Sequence, residues 1–185
     1  MKEKVFKACL ETIEKGGWKA FSFAKASEES GIPLNVFHAA FSSPSDVMLQ
    51  VFKNIDEEVL NHKDLSGENL SPKDALFDIL MARFDAAAPY KLVLRHFWSD
   101  FLFVPEEFPA LACHGFSSMA WMLEAAGLSA RGLKGALRIQ GLTTLYLFTL
   151  KTWLEDDSPD LGKTMVVLDK GLSRLERAAS FFSFL

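Results

Sequence analysis

The sequence predicts an all-α protein of about nine helices without strands, and three observations support this fold class. Apolar residues recur at steps of three and four along most of the chain, which is the period of one helix face. The pairs Ser43-Pro44, Ser71-Pro72 and Ser158-Pro159 each precede such a stretch, as an N-cap residue followed by proline at the first helical position. Hydrophobic residues make up 49% of the 185 positions, so the chain can bury a sizeable core.

The first elements form a pattern typical of a three-helix head. An amphipathic helix is predicted over residues 2–15, followed by two short helices within residues 22–41. Ser22 suits the N-cap of the second helix, Gly31 supplies the positive φ that a turn residue needs, and Pro33 suits a first helical turn. We interpret this stretch as a helix-turn-helix. A fourth helix follows, with valine and isoleucine at steps of four.

Five more helices are predicted, over about residues 71–87, 90–103, 106–126, 129–154 and from 158 onward. The polar stretch 61–70 precedes them, so we expect one domain over 1–62 and a second over 63–185. Apolar residues of the last helix recur at alternating steps of four and three, which favours packing against a partner helix. We interpret this seam as a homodimer interface, with packing inside the subunit as the alternative. Its members are Leu161, Met165, Leu168, Leu172 and Leu175.

The order of small motifs in the head resembles the DNA-binding end of the tetracycline-repressor (TetR) family. The motifs are Gly16-Gly17-Trp18, the spacing of Ser22 and Ala26, Gly31-Ile32, and the spacing of Leu34 and Phe37. The resemblance implies a ligand-responsive transcriptional regulator that binds double-stranded DNA as a homodimer. The DNA contacts would come from the start of the second helix, the third helix and flanking lysines. These residues are Lys19, Lys25, Leu34, Asn35, His38 and Lys53.

The helices after residue 70 are rich in aromatic residues, which favours a pocket for an apolar small molecule or lipid, because such pockets are lined mainly by apolar side chains. The alternative is that the same residues fill a core. The lining candidates are Phe77, Phe84, Phe97, Trp98, Phe101 and Trp121. Arg95, His96 and His114 are the candidate polar groups of such a pocket.

A second resemblance involves the stretch from Thr149 to Asp160 together with Thr164 and Leu168. This stretch is similar to the corresponding part of the ubiquinone-biosynthesis accessory proteins (the Coq nine family), which share the TetR fold. The resemblance implies an alternative function, that of a lipid-binding accessory protein that has lost DNA binding.

The charge distribution is unusual for a protein that binds DNA. The formal net charge is -4, and residues 1–62 contain seven lysines and no arginine against nine acidic residues. Because contacts to phosphates dominate DNA affinity, the predicted head has little of the usual electrostatic attraction for DNA.

Several classes of function receive no support from the sequence. Neither Cys9 nor Cys113 has metal-type spacing to a histidine, so we expect two buried free thiols, no metal and no cofactor. A nucleophile-base pair or phosphate loop is not recognisable, so we do not expect an enzyme. Apolar runs stay below the ~18 residues of a membrane span, and the N-terminal helix lacks the pattern of a signal peptide. We therefore expect a cytoplasmic protein without a transmembrane segment.

Overall fold

A computed structural model describes residues 1–61, 70–100 and 108–183 of the chain. Within these ranges it contains nine α-helices, one short 3₁₀ helix at Ala88–Tyr90, and no strand. The α-helices are α1 Lys2–Gly16, α2 Phe23–Ser30, α3 Leu34–Ala40, α4 Pro44–Asn61, α5 Pro72–Ala87, α6 Lys91–Asp100, α7 Phe108–Ala125, α8 Gly132–Glu155 and α9 Gly162–Ser183. The predicted all-α class is confirmed.

The chain divides into two compact units, each built from two separate segments. The first unit comprises residues 1–54 and 89–112, and the second comprises residues 55–88 and 113–185. Helix α4 is uninterrupted, so its residues 44–54 belong to the first unit and its residues 55–61 to the second. The domain boundary predicted at residue 62 falls in a range that the structure does not describe.

Helices α1 to α3, the beginning of α4 and helix α6 form the core of the first unit. Helix α1 buries Val5, Cys9 and Ile13 completely on one face, and it packs against α2, α3 and α6. Aromatic rings fill the remaining space. Trp18 stacks on Phe21 with ring centroids 5.7 Å apart, and similar contacts continue through Phe23, Phe37 and Phe41.

Two predicted caps determine where α4 and α5 begin. The Asp46 carboxylate accepts hydrogen bonds from the backbone N–H groups of Ser42 and Ser43, at 2.8 and 3.0 Å. Ser71 accepts from the backbone N–H of Asp74 at 3.2 Å, with Pro72 in the first turn. These bonds satisfy N–H groups that have no partner inside the helix. The four core residues predicted along α4 are all fully buried: Val47, Val51, Ile55 and Val59.

The second unit is organised around the long antiparallel pair α8 and α9, which packs against α5. The central residues of the dimer seam predicted on α9 pack inside their own subunit. Leu168 is 0% exposed and Leu172 is 3% exposed in the single chain. Leu175 packs across Gly141 of α8, where its Cδ2 lies 3.0 Å from the position of an added Cβ. Leu168 and Leu172 therefore have little or no surface left for a second subunit, whereas Leu175 is half-buried.

The other two members of the seam lie near its start. Leu161 is half-buried and precedes α9, with a φ of 51°, and Met165 is 39% exposed. The turn that contains Leu161 is held by Asp156, which is 1% exposed. Its carboxylate accepts from the Ser158 hydroxyl at 2.5 Å and from the backbone and hydroxyl of Thr164 at 3.0 and 2.9 Å. Asp156 therefore caps α9 from outside the helix.

Two sequence-based expectations differ from the structure. Helix α8 begins at Gly132 rather than at residue 129, because Ser129 instead forms a local turn in which its hydroxyl accepts from the Arg131 N–H. Cys113 is exposed, whereas Cys9 is buried as expected. Towards the apolar end of α8, Leu147 and Phe148 are 44% and 71% exposed.

Candidate nucleic-acid interface

Helix α2 has defined ends, because a side-chain cap starts it and a glycine stops it. The Ser22 hydroxyl accepts from the backbone N–H of Lys25 at 3.2 Å. Gly31 has a φ of 70° and donates its N–H to the Ser27 carbonyl at 2.9 Å, a left-handed cap that favours glycine. Both predicted roles are confirmed.

The turn into α3 is also fixed locally. The Ser27 hydroxyl donates to the Ile32 carbonyl at 2.6 Å. Pro33 is the N-cap of α3 rather than its first helical residue, with φ -59° and ψ 141°. Phe37 is 0% exposed and packs against Phe23 with ring centroids 6.1 Å apart. Burial of Phe37 fixes which face of the seven-residue helix is presented to solvent.

The solvent-facing side of α3 carries the residues that were predicted to meet DNA. Leu34 is 50% exposed, and Asn35, His38 and Ala39 are exposed. An asparagine amide offers both donors and an acceptor to a base edge, and an imidazole can donate to a phosphate or base. These side chains include no lysine, arginine or carboxylate, so the face is equipped for contacts at short range more than for electrostatic attraction.

The predicted lysine contacts differ in where they lie. The side chain of Lys25 is half-buried, and its Nζ lies over Gly16, 2.8 Å from the position of an added Cβ. Its ammonium is therefore placed at the C-terminal end of α1, where the helix dipole favours a cation. Lys19 and Lys53 are exposed. The backbone N–H of Lys19 donates to Asp100 Oδ2 at 3.0 Å, which ties the turn before α2 to α6.

The predicted pocket residues are divided between the two units. Phe97, 6% exposed, packs edge-on against Trp18 in the first unit, where half-buried Trp98 also lies. In the second unit, Phe84 is fully buried, Phe77 is half-buried and Trp121 is 60% exposed. The last candidate, Phe101, lies outside the described residues. Core packing therefore accounts for Phe84 and Phe97, whereas Trp121 is largely exposed.

A buried polar cluster in the second unit, which we call the Asp56 cluster, was missed by sequence reasoning except for His114. Asp56 on α4 contacts the guanidinium of Arg83 on α5 through Arg83 Nη1 and Asp56 Oδ1. From α7, the Ser118 hydroxyl donates to Asp56 Oδ1 at 2.8 Å, and His114 Nε2 lies 3.4 Å from Oδ2. Arg83 and Ser118 are only 2% and 1% exposed.

The sequence did carry a signal for one member of this cluster. Leu80, Arg83, Phe84 and Ala87 are spaced as one face of α5, and all four are buried. An arginine in the middle of an apolar helix face needs a partner, because an unpaired buried charge is very costly. That partner is 27 residues away in the sequence, so the helical pattern could not identify it.

Other reactive groups offer little chemistry. Burial raises the pKa of the Cys9 thiol to about 12, so the nucleophilic thiolate is scarce at neutral pH. Among the described residues, histidine, cysteine and acidic side chains do not gather in any group of three that could hold a metal ion.

Neither a protein-family model nor a curated protein sequence matches this chain. Solved structures do. A TetR transcriptional regulator from Nitrosomonas europaea superposes with a TM-score of 0.72 at 20% identity, covering 94% of this chain and 97% of that one. A TetR transcriptional regulator from Rhodococcus sp. RHA1 gives a TM-score of 0.64 at 14% identity, covering 93% of each chain. The chain has the TetR fold.

These similarities confirm the fold that the motifs of the head implied. Neither of these two neighbours is described as a ubiquinone-biosynthesis protein, so the second resemblance stays a prediction. Over the part of the chain that the structure describes, no helix combines the length and the apolar character needed to span a membrane.

Proposed function

We propose that this protein is a TetR-type, ligand-responsive transcriptional regulator that binds double-stranded DNA as a homodimer. The observation that carries the proposal is the helix-turn-helix, in which Phe37 anchors α3 so that Asn35 and His38 face solvent. A recognition helix presented in this way can enter the major groove and contact base edges. Both structural neighbours are described as transcriptional regulators, which agrees with this function.

The proposed dimer interface is the outer face of α8. Leu133, Leu137 and Phe148 are 80%, 60% and 71% exposed, and they lie on one stripe of the helix opposite the buried residues Leu142 and Trp153. An apolar stripe of this length is costly to leave in water. A two-fold axis would cover it with the same stripe of a second subunit. This proposal replaces the seam of α9.

Helix α4 supports a coupling between ligand and DNA. Its first part buries Val47 and Val51 in the core of the first unit, and its last part carries Asp56 in the second unit. Because α4 is one continuous helix of 18 residues, a ligand that displaces Asp56 acts on the helix that also carries Val47 and Val51.

The DNA interface has few cations, which gives the proposal a quantitative test. Each neutralised phosphate contributes about 0.9 to the magnitude of the slope of log K against log salt. We expect a slope between about -2 and -4 per dimer, much shallower than that of a repressor that neutralises many phosphates. Fluorescence anisotropy on DNA from upstream of the protein's own gene, at several salt concentrations, measures this slope.

Two lysine variants form a matched pair for that experiment. Lys53→Met removes an exposed cation and should make the slope shallower by about two per dimer. Lys25→Met removes an ammonium that lies over Gly16, so it should leave the slope unchanged. The double variant Asn35→Ala/His38→Ala should abolish sequence preference. If no upstream sequence binds more tightly than random DNA, the proposed regulator function is wrong.

A further inference from the structure

The Asp56 cluster places charge where stability does not require it. Arg83 is 2% exposed, and the side chain of Asp56 is 13% exposed. Desolvating such a pair generally costs as much as the pairing returns, and an apolar replacement of similar volume is often as stable. The burial of this ion pair is therefore weak evidence that its role is purely structural. The hydrogen bonds of the cluster indicate which groups are still able to bind another molecule.

The described contacts of the cluster leave one donor of Arg83 unused. Asp56 Oδ1 receives both the Arg83 guanidinium and the Ser118 hydroxyl, while Oδ2 lies 3.4 Å from His114 Nε2. Arg83 Nε is buried from solvent and has no hydrogen-bond acceptor among the described residues. A buried N–H of a charged group without an acceptor carries a large desolvation cost. An oxygen atom from another molecule would remove this cost.

The surroundings of Arg83 indicate what the rest of that molecule is like. The guanidinium lies over the ring of Tyr146, 5.0 Å from its centroid. Tyr146 stacks on Phe84 at 5.4 Å, and Phe84 stacks on Trp153 at 5.6 Å. The arginine thus lies at one end of a row of buried aromatic rings, so a molecule whose polar end reached Nε would have apolar side chains beside it.

We propose that Arg83 is the anchor for the carboxylate of an otherwise apolar monocarboxylic acid, such as a fatty or arylalkanoic acid. A guanidinium matches a carboxylate with parallel hydrogen bonds, and Nε is one of the donors of that pattern. A cationic ligand is disfavoured, because the carboxylate of Asp56 already receives donors from α5 and α7. This inference rests on the proposed function, because the acid would be the effector of the proposed regulator.

The same geometry gives the ligand a means of acting on α4. A bound carboxylate competes with Asp56 for the guanidinium and repels the Asp56 carboxylate at close range. Both effects loosen the contact that joins α4 to α5, so the ligand stabilises the arrangement in which Asp56 has moved away from Arg83.

Binding is tested on the purified protein without DNA, so that a failure of DNA recognition cannot be confused with a failure of this site. The probes are decanoate and 3-phenylpropanoate, with decylamine as the cationic control, measured by calorimetry and by tryptophan fluorescence. We expect both acids to bind the wild-type protein and decylamine to bind at least about tenfold more weakly, the equivalent of one charge-assisted hydrogen bond.

Two variants of the cluster should move the affinity in opposite directions. Arg83→Lys keeps a cation beside Asp56 but lacks the Nε donor, so acid binding should weaken by about 10- to 100-fold. Asp56→Asn removes the competing anion, so acid binding should tighten by about fivefold or more. If Arg83→Lys fails to fold, the Asp56→Asn comparison still decides.

Three results would overturn the proposal. The first is that neither acid binds the wild-type protein, and the second is that decylamine binds as tightly as decanoate. The third is that Asp56→Asn weakens acid binding instead of strengthening it. A protein that binds the acids in this way but ignores DNA would keep the ligand site and refute only the regulator function.

Discussion

Replacing Leu137 and Phe148 of α8 by alanine should convert the proposed dimer into a monomer. These side chains are 60% and 71% exposed in the single chain, so most of their apolar surface is available to a partner. Full burial of a leucine or phenylalanine contributes about 1.5 to 3 kcal/mol, and covering the exposed part contributes about 1 to 2 kcal/mol for each. In a two-fold symmetric dimer each residue occurs once in each subunit. The double variant therefore removes four side chains of about 1 kcal/mol or more each and weakens the dimer by at least about 4 kcal/mol.

A change of about 4 kcal/mol raises the dimer Kd about 1,000-fold, which moves a nanomolar dimer into the micromolar range. Sedimentation equilibrium over a wide range of protein concentrations measures the change. Trp121→Ala is the matched control, because it removes a side chain of similar exposure, 60%, from a different helix, α7. A wild-type protein that is monomeric at micromolar concentration, or a double variant with an unchanged Kd, would refute the interface.

Two further predictions concern the pair α8 and α9. Leu168→Ala should lower the free energy of unfolding by about 2 to 5 kcal/mol in urea titrations, since Leu168 is 0% exposed. The control Val166→Ala, at a 51% exposed position, should change it by less than about 0.5 kcal/mol. A Leu168 variant that is equally stable but no longer dimeric would instead indicate that the seam of α9 is the dimer contact. Hydrogen bonds from Ser158 and Thr164 lower the pKa of Asp156 below its ordinary value of 3.8, so its stabilising effect is complete above that pH and is lost on acidification. Thermal melts between about pH 2 and pH 7 measure this loss. The melting temperature should fall less on acidification for Asp156→Asn than for the exposed control Asp157→Asn, and an equal fall would contradict the capping role.

The parts of the fold that local chemistry decides were predictable from the sequence. Ser22 and Ser71 cap helices that begin within one or two residues of them, and Gly31 ends α2 with the positive φ that was expected. Each of these residues acts within about five positions of itself, so the neighbouring sequence contains the whole interaction. The helix-turn-helix follows from these short-range effects.

The partner of an apolar helix face could not be predicted in the same way. The spacing of Leu168 and Leu172 requires that a helix covers them, and a helix of the same chain meets this requirement as well as one from a second subunit. The decision depends on how α8 and α5 are placed, which the periodicity of α9 does not contain. In contrast, the exposed face of α8 can be identified only from the structure, because α9 and α5 cover its other sides.

The candidate sites show the same division between local and distant information. Asn35 and His38 could be chosen from the sequence, because their exposure follows from their position on a short helix next to Phe37. Lys25 could not be judged in this way, since its ammonium lies over Gly16 of a different helix. The number of lysines in the sequence therefore overestimates the number of cations that the head can offer to phosphates.

This reduced number of cations affects how a dimer would choose its operator. When phosphate contacts are few, non-specific binding weakens more than specific binding, because non-specific binding is almost entirely electrostatic. The neutral face of Leu34, Asn35 and His38 would then supply most of the affinity through base contacts. Such a regulator needs both heads at the correct spacing to bind at all, since one head alone has little attraction for DNA. In the proposed regulator, an effector that alters the single contact between Asp56 and Arg83 would therefore be sufficient to release the DNA.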